Sequence, residues 1–212
     1  MEILVLESPW TSGLSEGKSV KPFIEGWALI SKAKLRYENF HDMKDLAHFL
    51  RLFMAEPDLK ICYIAGHGSG GRLKGVDGGI NLKSLANATR GRGLGEGGGK
   101  GILLGACEVG GNLERLLKSC SPRIAWVAGY DRRIPWVEAT LCDLLFLEYM
   151  TAGRIKPGGE KSRMFLRAEG KFVSMATASA ARAARWVRSD FKLAVRGGFT
   201  ALERPAPSRR KK

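Results

Sequence analysis

Strand patterns and helix patterns alternate along this chain from Glu2 to Thr151, and that alternation limits the folds open to it. Glu2 to Glu7 (EILVLE) is a short apolar run suited to a strand. Val20 to Ser31 carries Phe23, Trp27 and Ile30 as a helical apolar face, and Lys34 to Phe40 fits a second strand. From about Asp42 to Ala55, Met43, Leu46, Ala47, Leu50 and Phe53 recur at three and four residues, which predicts a helix. Pro57-Asp58 breaks it before a third strand, Leu59 to Ala65. A fourth strand at Ile102 to Ala106 follows, then a helix near Asn112 to Lys118, a fifth strand at Ile124 to Ala128, and a long helix from Trp136 to Thr151. After Gly153 the signal weakens, and only Met175 to Phe191 reads as a helix. The alternation predicts an α/β fold of three layers, a mainly parallel sheet with helices on both faces.

Composition sets the remaining bounds. A chain of 212 residues with 44% apolar and 26% charged residues suits one globular domain. No apolar run approaches the roughly 20 residues of a membrane helix, so no membrane is expected as a partner. Met1 leads into a strand pattern without a secretory leader, and Cys62, Cys107, Cys120 and Cys142 show no paired spacing. Reduced thiols and a cytoplasmic location are expected. The net charge of +14 is concentrated late: from Arg182 onward, ten Lys or Arg face two acids. The expected division is a domain over 1–198 and a basic, disordered tail over 199–212. Such a tail can contact nucleic acid through counterion release. Without aromatic residues in its final cluster it offers no stacking platform, and a solubilising role is the simpler expectation.

Several motifs lead nowhere. Arg90 to Gly101 is glycine-dense and expected to be a mobile surface loop. Gly93 to Gly98 matches GxGxxG but precedes a strand. Gly66 to Gly71 matches it too, yet Arg72 to Gly79 behind it is hairpin-like and offers no helix to a pyrophosphate. His41 and His48 lack thiol or carboxylate partners at ligand spacing. Neither a cofactor nor a metal is expected.

Two strands end on reactive side chains set among small residues. Leu59 to Ala65 runs into Gly66-His67-Gly68, and Ile102 to Ala106 runs into Cys107-Glu108. If both lie parallel in one sheet, their carboxyl ends share the edge at which open α/β sheets bind ligands. An imidazole beside a thiol draws off its proton and yields the thiolate nucleophile. Attack on a carbonyl creates an oxyanion, and the N–H groups of Gly68 and Cys107 are candidate donors to it. A lone Cys on a buried strand is otherwise packing, which is the reading for Cys62 and Cys142. Chain order prunes the alternatives. His67 is the last of three histidines, so arrangements that place the nucleophile first and a His downstream are excluded. That removes the class I glutaminases and the α/β-hydrolases, and the papain-like order is the reverse of this one.

A His followed by a Cys on the next strand end is the order of the caspase-like clan. Ile102 to Gly110 (ILLGACEVG) is similar to the LLSACETG segment of bacterial CHAT-type proteases, and Ala65-Gly66-His67-Gly68 resembles their histidine motif. Ile124 to Asp131 and Trp136-Val137-Glu138-Ala139-Thr140 resemble their fifth strand and following helix start. Gly105 stands where those proteases have Ser, and Gly129-Tyr130 replaces their Leu-Trp region, which leaves specificity open. The resemblance implies a caspase-hemoglobinase fold and a thiol endopeptidase acting through a thioester, with His67 as base and Cys107 as nucleophile. It implies a protein substrate, and it leaves room for an activating partner and for a role in bacterial defence or programmed death. Asp131 is the acid nearest the expected pocket, pointing to a basic residue before the scissile bond. The competing reading is that Asp131 caps a turn or pairs with Arg132 or Arg133. Glu108 is expected to face solvent at a helix start. The alternative at the level of function is a catalytically silent module of the same fold, binding a protein or nucleic acid through its basic C-terminal segment.

Overall fold

A computed structural model of the chain describes residues 2–10, 18–76, 78–90, 99–151, 180–190 and 192–204. In chain order its elements begin with β1 (Glu2–Glu7), α1 (Lys21–Ser31), β2 (Lys34–Asn39), α2 (Met43–Ala55) and β3 (Leu59–Ala65). The short strands β4 (Gly68–Ser69), β5 (Arg72–Gly75) and β6 (Gly78–Asn81) follow, then α3 (Leu82–Ala88), β7 (Lys100–Gly105) and α4 (Leu113–Ser119). The chain continues through β8 (Ile124–Tyr130), α5 (Trp136–Thr151), α6 (Ala180–Asp190), α7 (Lys192–Arg196) and β9 (Phe199–Glu203). The main sheet has the order β2-β1-β3-β7-β8-β9. Its first five strands are parallel, and β9 alone runs antiparallel to its neighbour. β4, β5 and β6 form a separate antiparallel sheet.

Side-chain alternation along the strands builds the two cores. Leu4, Leu6, Cys62, Ile64, Ile102 and Leu104 point to one face and pack with Leu46, Leu50, Leu85 and Leu116 of α2, α3 and α4. Ile3, Val5, Ile61, Tyr63 and Leu103 point to the other face and pack with Ile24, Phe146, Ala183 and Val187 of α1, α5 and α6. Both faces of the strands are therefore apolar, as a parallel sheet under two helical layers requires. Among the described residues no helix is long and apolar enough to cross a membrane.

Three sequence expectations need correction. The buried face of α1 is Ile24 and Ala28, whereas Phe23 is 41% and Ile30 85% exposed. The phase is set by the sheet beneath and by Trp27, whose Nε1 donates to Glu148 of α5 at 3.0 Å. The boundary at 198/199 is also displaced. Phe199 to Glu203 is the sixth strand of the main sheet, with Phe199 and Ala201 buried and Phe199 paired to Tyr130, and Gly198 (φ +62) turns the chain from α7 into it. Arg204, just beyond, donates to the carbonyls of Ile124, Leu117 and Cys120 and pins that end to α4. Residues 205–212, and with them most of the expected tail, lie outside the described residues, as do 91–98 of the glycine-dense segment and the expected helical start at 175–179. Finally, β7 begins at Lys100 rather than Ile102. That lysine is buried, with its Nζ donating to the carbonyls of Glu56, at the end of α2, and Leu59, at the start of β3, and lying 4.7 Å over the Phe53 ring. Burial pulls its ammonium down to about 8.

One polar cluster lies under the sheet. Asp143 of α5 is fully enclosed, with Oδ2 at 2.8 Å from Tyr63 Oη and Oδ1 at 2.7 Å from Tyr130 Oη. Tyr130 Oη is also 3.0 Å from Ala139 O. Three oxygen–oxygen contacts need three protons, and the tyrosines supply only two. The third belongs to a neutral Asp143 carboxyl, consistent with burial raising its pKa to about 7. A carboxyl raised in the folded state binds its proton more tightly there than in the unfolded chain. Stability should therefore fall as the pH rises from the ordinary carboxylate range through neutrality. Asp143→Asn, which keeps a donor toward Tyr130, is expected to raise Tm more at about pH 8 than at about pH 5. Thermal melts at the two pH values check this, and an equal change at both contradicts it.

Candidate active site

Register brings the two reactive residues to one place. β3 and β7 are neighbours, and Ala65 pairs with Gly105. His67 and Cys107 each follow that rung by two residues, at the carboxyl edge of the sheet. The backbones beyond the rung touch: a Cβ on Gly68 would lie 2.1 Å from Cys107 O and 3.0 Å from Cys107 N. Only glycine permits that approach, and the sequence has it at position 68.

The imidazole is oriented from β1. His67 Nε2 lies 2.7 Å from Trp10 O. A carbonyl can only accept, so Nε2 carries the hydrogen and Nδ1 of the neutral ring keeps its lone pair. The Trp10 ring meets His67 edge-on at 5.0 Å, and its Nε1 donates to Glu7. Glu7, buried at the end of β1, also accepts from Val20 N and Ser19 Oγ, each at 2.8 Å, and from Tyr37 Oη. Glu7 thus anchors Trp10, and Trp10 anchors His67. Sequence reasoning missed both residues. The usable signals were an acid closing an apolar strand and a tryptophan shortly after it.

The thiol differs from its three counterparts. Cys62, Cys120 and Cys142 are buried, whereas Cys107 is partly exposed. Burial pushes Cys120 up to about 11, Cys142 up to about 12 and Cys62 further still, which leaves them inert. Cys107 Sγ lies 3.5 Å from both the N–H and the carbonyl of Ile134, in the loop after β8. It makes no hydrogen bond to His67, an arrangement common in unliganded sites, where catalytic contacts tighten around substrate. Among the described residues, no acceptor occupies the Cys107 N–H.

Glu108 is partly exposed, but its carboxylate is engaged by neighbouring loops rather than free at a helix start. It adopts φ +61, and its carboxylate accepts from Gly70 N at 2.8 Å and from Arg133 Nε at 2.6 Å. Its own N–H donates to Arg132 O at 3.3 Å. The Gly70 N–H and the Arg133 guanidinium hold this carboxyl below the usual range. The residue ties together the loops that follow β3, β7 and β8, a role that no side-chain pattern in the sequence signals. Asp131 lies in the same loop as Ile134. Its Oδ1 is 3.5 Å from Arg132 Nε, and a Cβ on Gly198 would fall 1.5 Å from it. Of the readings open for Asp131, the pair with Arg132 is present in the structure, and the side chain remains 41% exposed. Gly105 also has its reason: a Cβ there would lie 2.5 Å from the Tyr63 ring and 2.6 Å from Asp143 Oδ2.

The molecule is therefore an α/β protein of the mainly parallel kind, with an imidazole and a thiol on adjoining strand ends. Among solved structures it is similar to a secreted C11 cysteine protease from Bacteroides thetaiotaomicron, iotapain. The TM-score is 0.43 and the identity 12%, over 71% of this chain and 62% of that one. The chain thus spans less than two thirds of that protein's length. No family model and no curated protein sequence matches it.

Proposed function

We propose that this chain is a caspase-like cysteine endopeptidase, in which His67 is the base and Cys107 the nucleophile. The single observation that carries the reading is the shared rung of β3 and β7, from which both residues follow by two. His67 Nδ1 accepts the proton of the Cys107 thiol, and the sulfur attacks the carbonyl carbon of the scissile peptide. The N–H groups of Gly68 and Cys107 receive the negative oxygen. The imidazolium returns its proton to the leaving amine nitrogen as the C–N bond breaks, leaving a thioester. Water then attacks the thioester, His67 takes the water's proton, and Cys107 is released. The motif likeness of Ile102 to Gly110 supports a CHAT-type relationship, and with it a role in bacterial defence. Asp131, partly exposed beside Arg132, supports cleavage after Arg or Lys, whose cation would take the place of Arg132.

An unbiased peptide library tests the proposal. Cleavage by the parent chain, absent in Cys107→Ala, with Arg or Lys enriched before the cut, is the expected result. Asp131→Ala should lose that enrichment and keep cleavage. Equal cleavage by Cys107→Ala would overturn the reading.

A further inference from the structure

A cleft of about 430 Å³ opens on the sheet face covered by α3 and α4. Arg72 of β5, Lys83 of α3 and Arg115 of α4 line it, together with the neutral polar side chains of Asn81, Asn112 and Ser119. No Asp or Glu contributes to its wall. Among the described residues, none of the three cations lies within 4 Å of a carboxylate, and the neighbouring Glu114 is already paired with Lys118 at 2.7 Å. Three cations from three separate elements repel one another in one cleft and gain from an anion placed between them.

The cleft adjoins the dyad. Arg72 and Gly71 belong to the hairpin that starts at Gly68, whose backbone abuts Cys107. Gly71 packs on Asn112, since a Cβ there would lie 2.6 Å from Asn112 Nδ2. The surface is therefore continuous from the nucleophile's loop into the cleft. No aromatic side chain lines the cleft, so bases have no surface to stack on.

We propose that this cleft binds an acidic segment of the polypeptide substrate to one side of the scissile bond. The proposal rests on the endopeptidase reading for its substrate and on the cleft alone for its anion. The test begins with binding, which needs no catalysis. A fluorescein-labelled peptide with a run of glutamates is titrated against the full chain carrying Cys107→Ala. Binding that weakens with salt, and that falls about tenfold when Arg72→Glu and Arg115→Glu are added, is expected. The same peptide with glutamine for glutamate should bind weakly to both. Lys34→Glu with Lys44→Glu, on β2 and α2 outside the cleft, should leave binding unchanged. Binding that survives the cleft substitutions, or that falls equally with the Lys34/Lys44 pair, overturns the proposal. So does tight binding of inorganic triphosphate, or of a single-stranded oligonucleotide, at the cleft when the acidic peptide does not bind. In the active chain, glutamate-flanked substrates should exceed glutamine-flanked ones about tenfold in kcat/KM, and the cleft variant should lose that preference. If acidic peptides bind the cleft but no peptide is cleaved, the endopeptidase reading fails while the anion site stands.

Discussion

Gly68→Ala is expected to leave the chain folded and to lower peptide cleavage by roughly a hundredfold or more. The added methyl would sit 2.1 Å from Cys107 O, a backbone atom that cannot swing aside. The loop carrying His67 and the loop carrying Cys107 must separate to admit it. Separation would move the Gly68 N–H away from the oxyanion position of the proposed mechanism, and shift His67 relative to the thiol. Position 68 is half-buried and outside both apolar cores, so the fold has little to lose. Steady-state kinetics with circular dichroism separate the two effects. Parent-like kcat/KM in Gly68→Ala would mean that this close approach has no part in the chemistry.

Gly101→Ala should act on stability. Gly101 pairs with Trp126 in the β7–β8 register, and a Cβ there would fall 1.8 Å from Trp126 Cε2. The indole cannot give way, because it is buried and meets Phe146 edge-on at 5.5 Å. Overpacking of this kind costs about 3 kcal/mol, and the methyl adds little burial to offset it. Trp126→Leu in the Gly101→Ala background removes the collision. The double variant should then be more stable than the two single changes predict, by about 1 kcal/mol or more. Urea unfolding of the four proteins measures that coupling, and simple additivity would contradict the contact.

These residues also show what could be read from the sequence. β1, β3 and α5 have the expected bounds because each is an apolar run with clear stops, such as Pro57-Asp58 before β3. β7 starts earlier because Lys100, charged and placed behind glycines, hides a buried stem whose ammonium finds carbonyls at the end of α2 and the start of β3. β9 looked like tail because it is short, follows two glycines and leads into a basic segment. Its partner β8 makes it a strand, and pairing is not local information. At the site, His67 and Cys107 were legible because each lies two residues beyond the end of a buried strand. Trp10 was not, since it acts through a carbonyl that every residue possesses. Glu108 was not, since its reach depends on a left-handed backbone that no composition signals.

Selective alkylation of Cys107 tests the central claim most directly. Iodoacetamide at neutral pH, followed by peptide mass spectrometry, reads all four cysteines in one experiment. Cys107 should be labelled far faster than the buried Cys62, Cys120 and Cys142, and His67→Ala should slow it toward the rate of an ordinary thiol. If Cys107 reacts no faster than Cys120, or if its rate is unchanged by His67→Ala, the two residues do not act as a dyad.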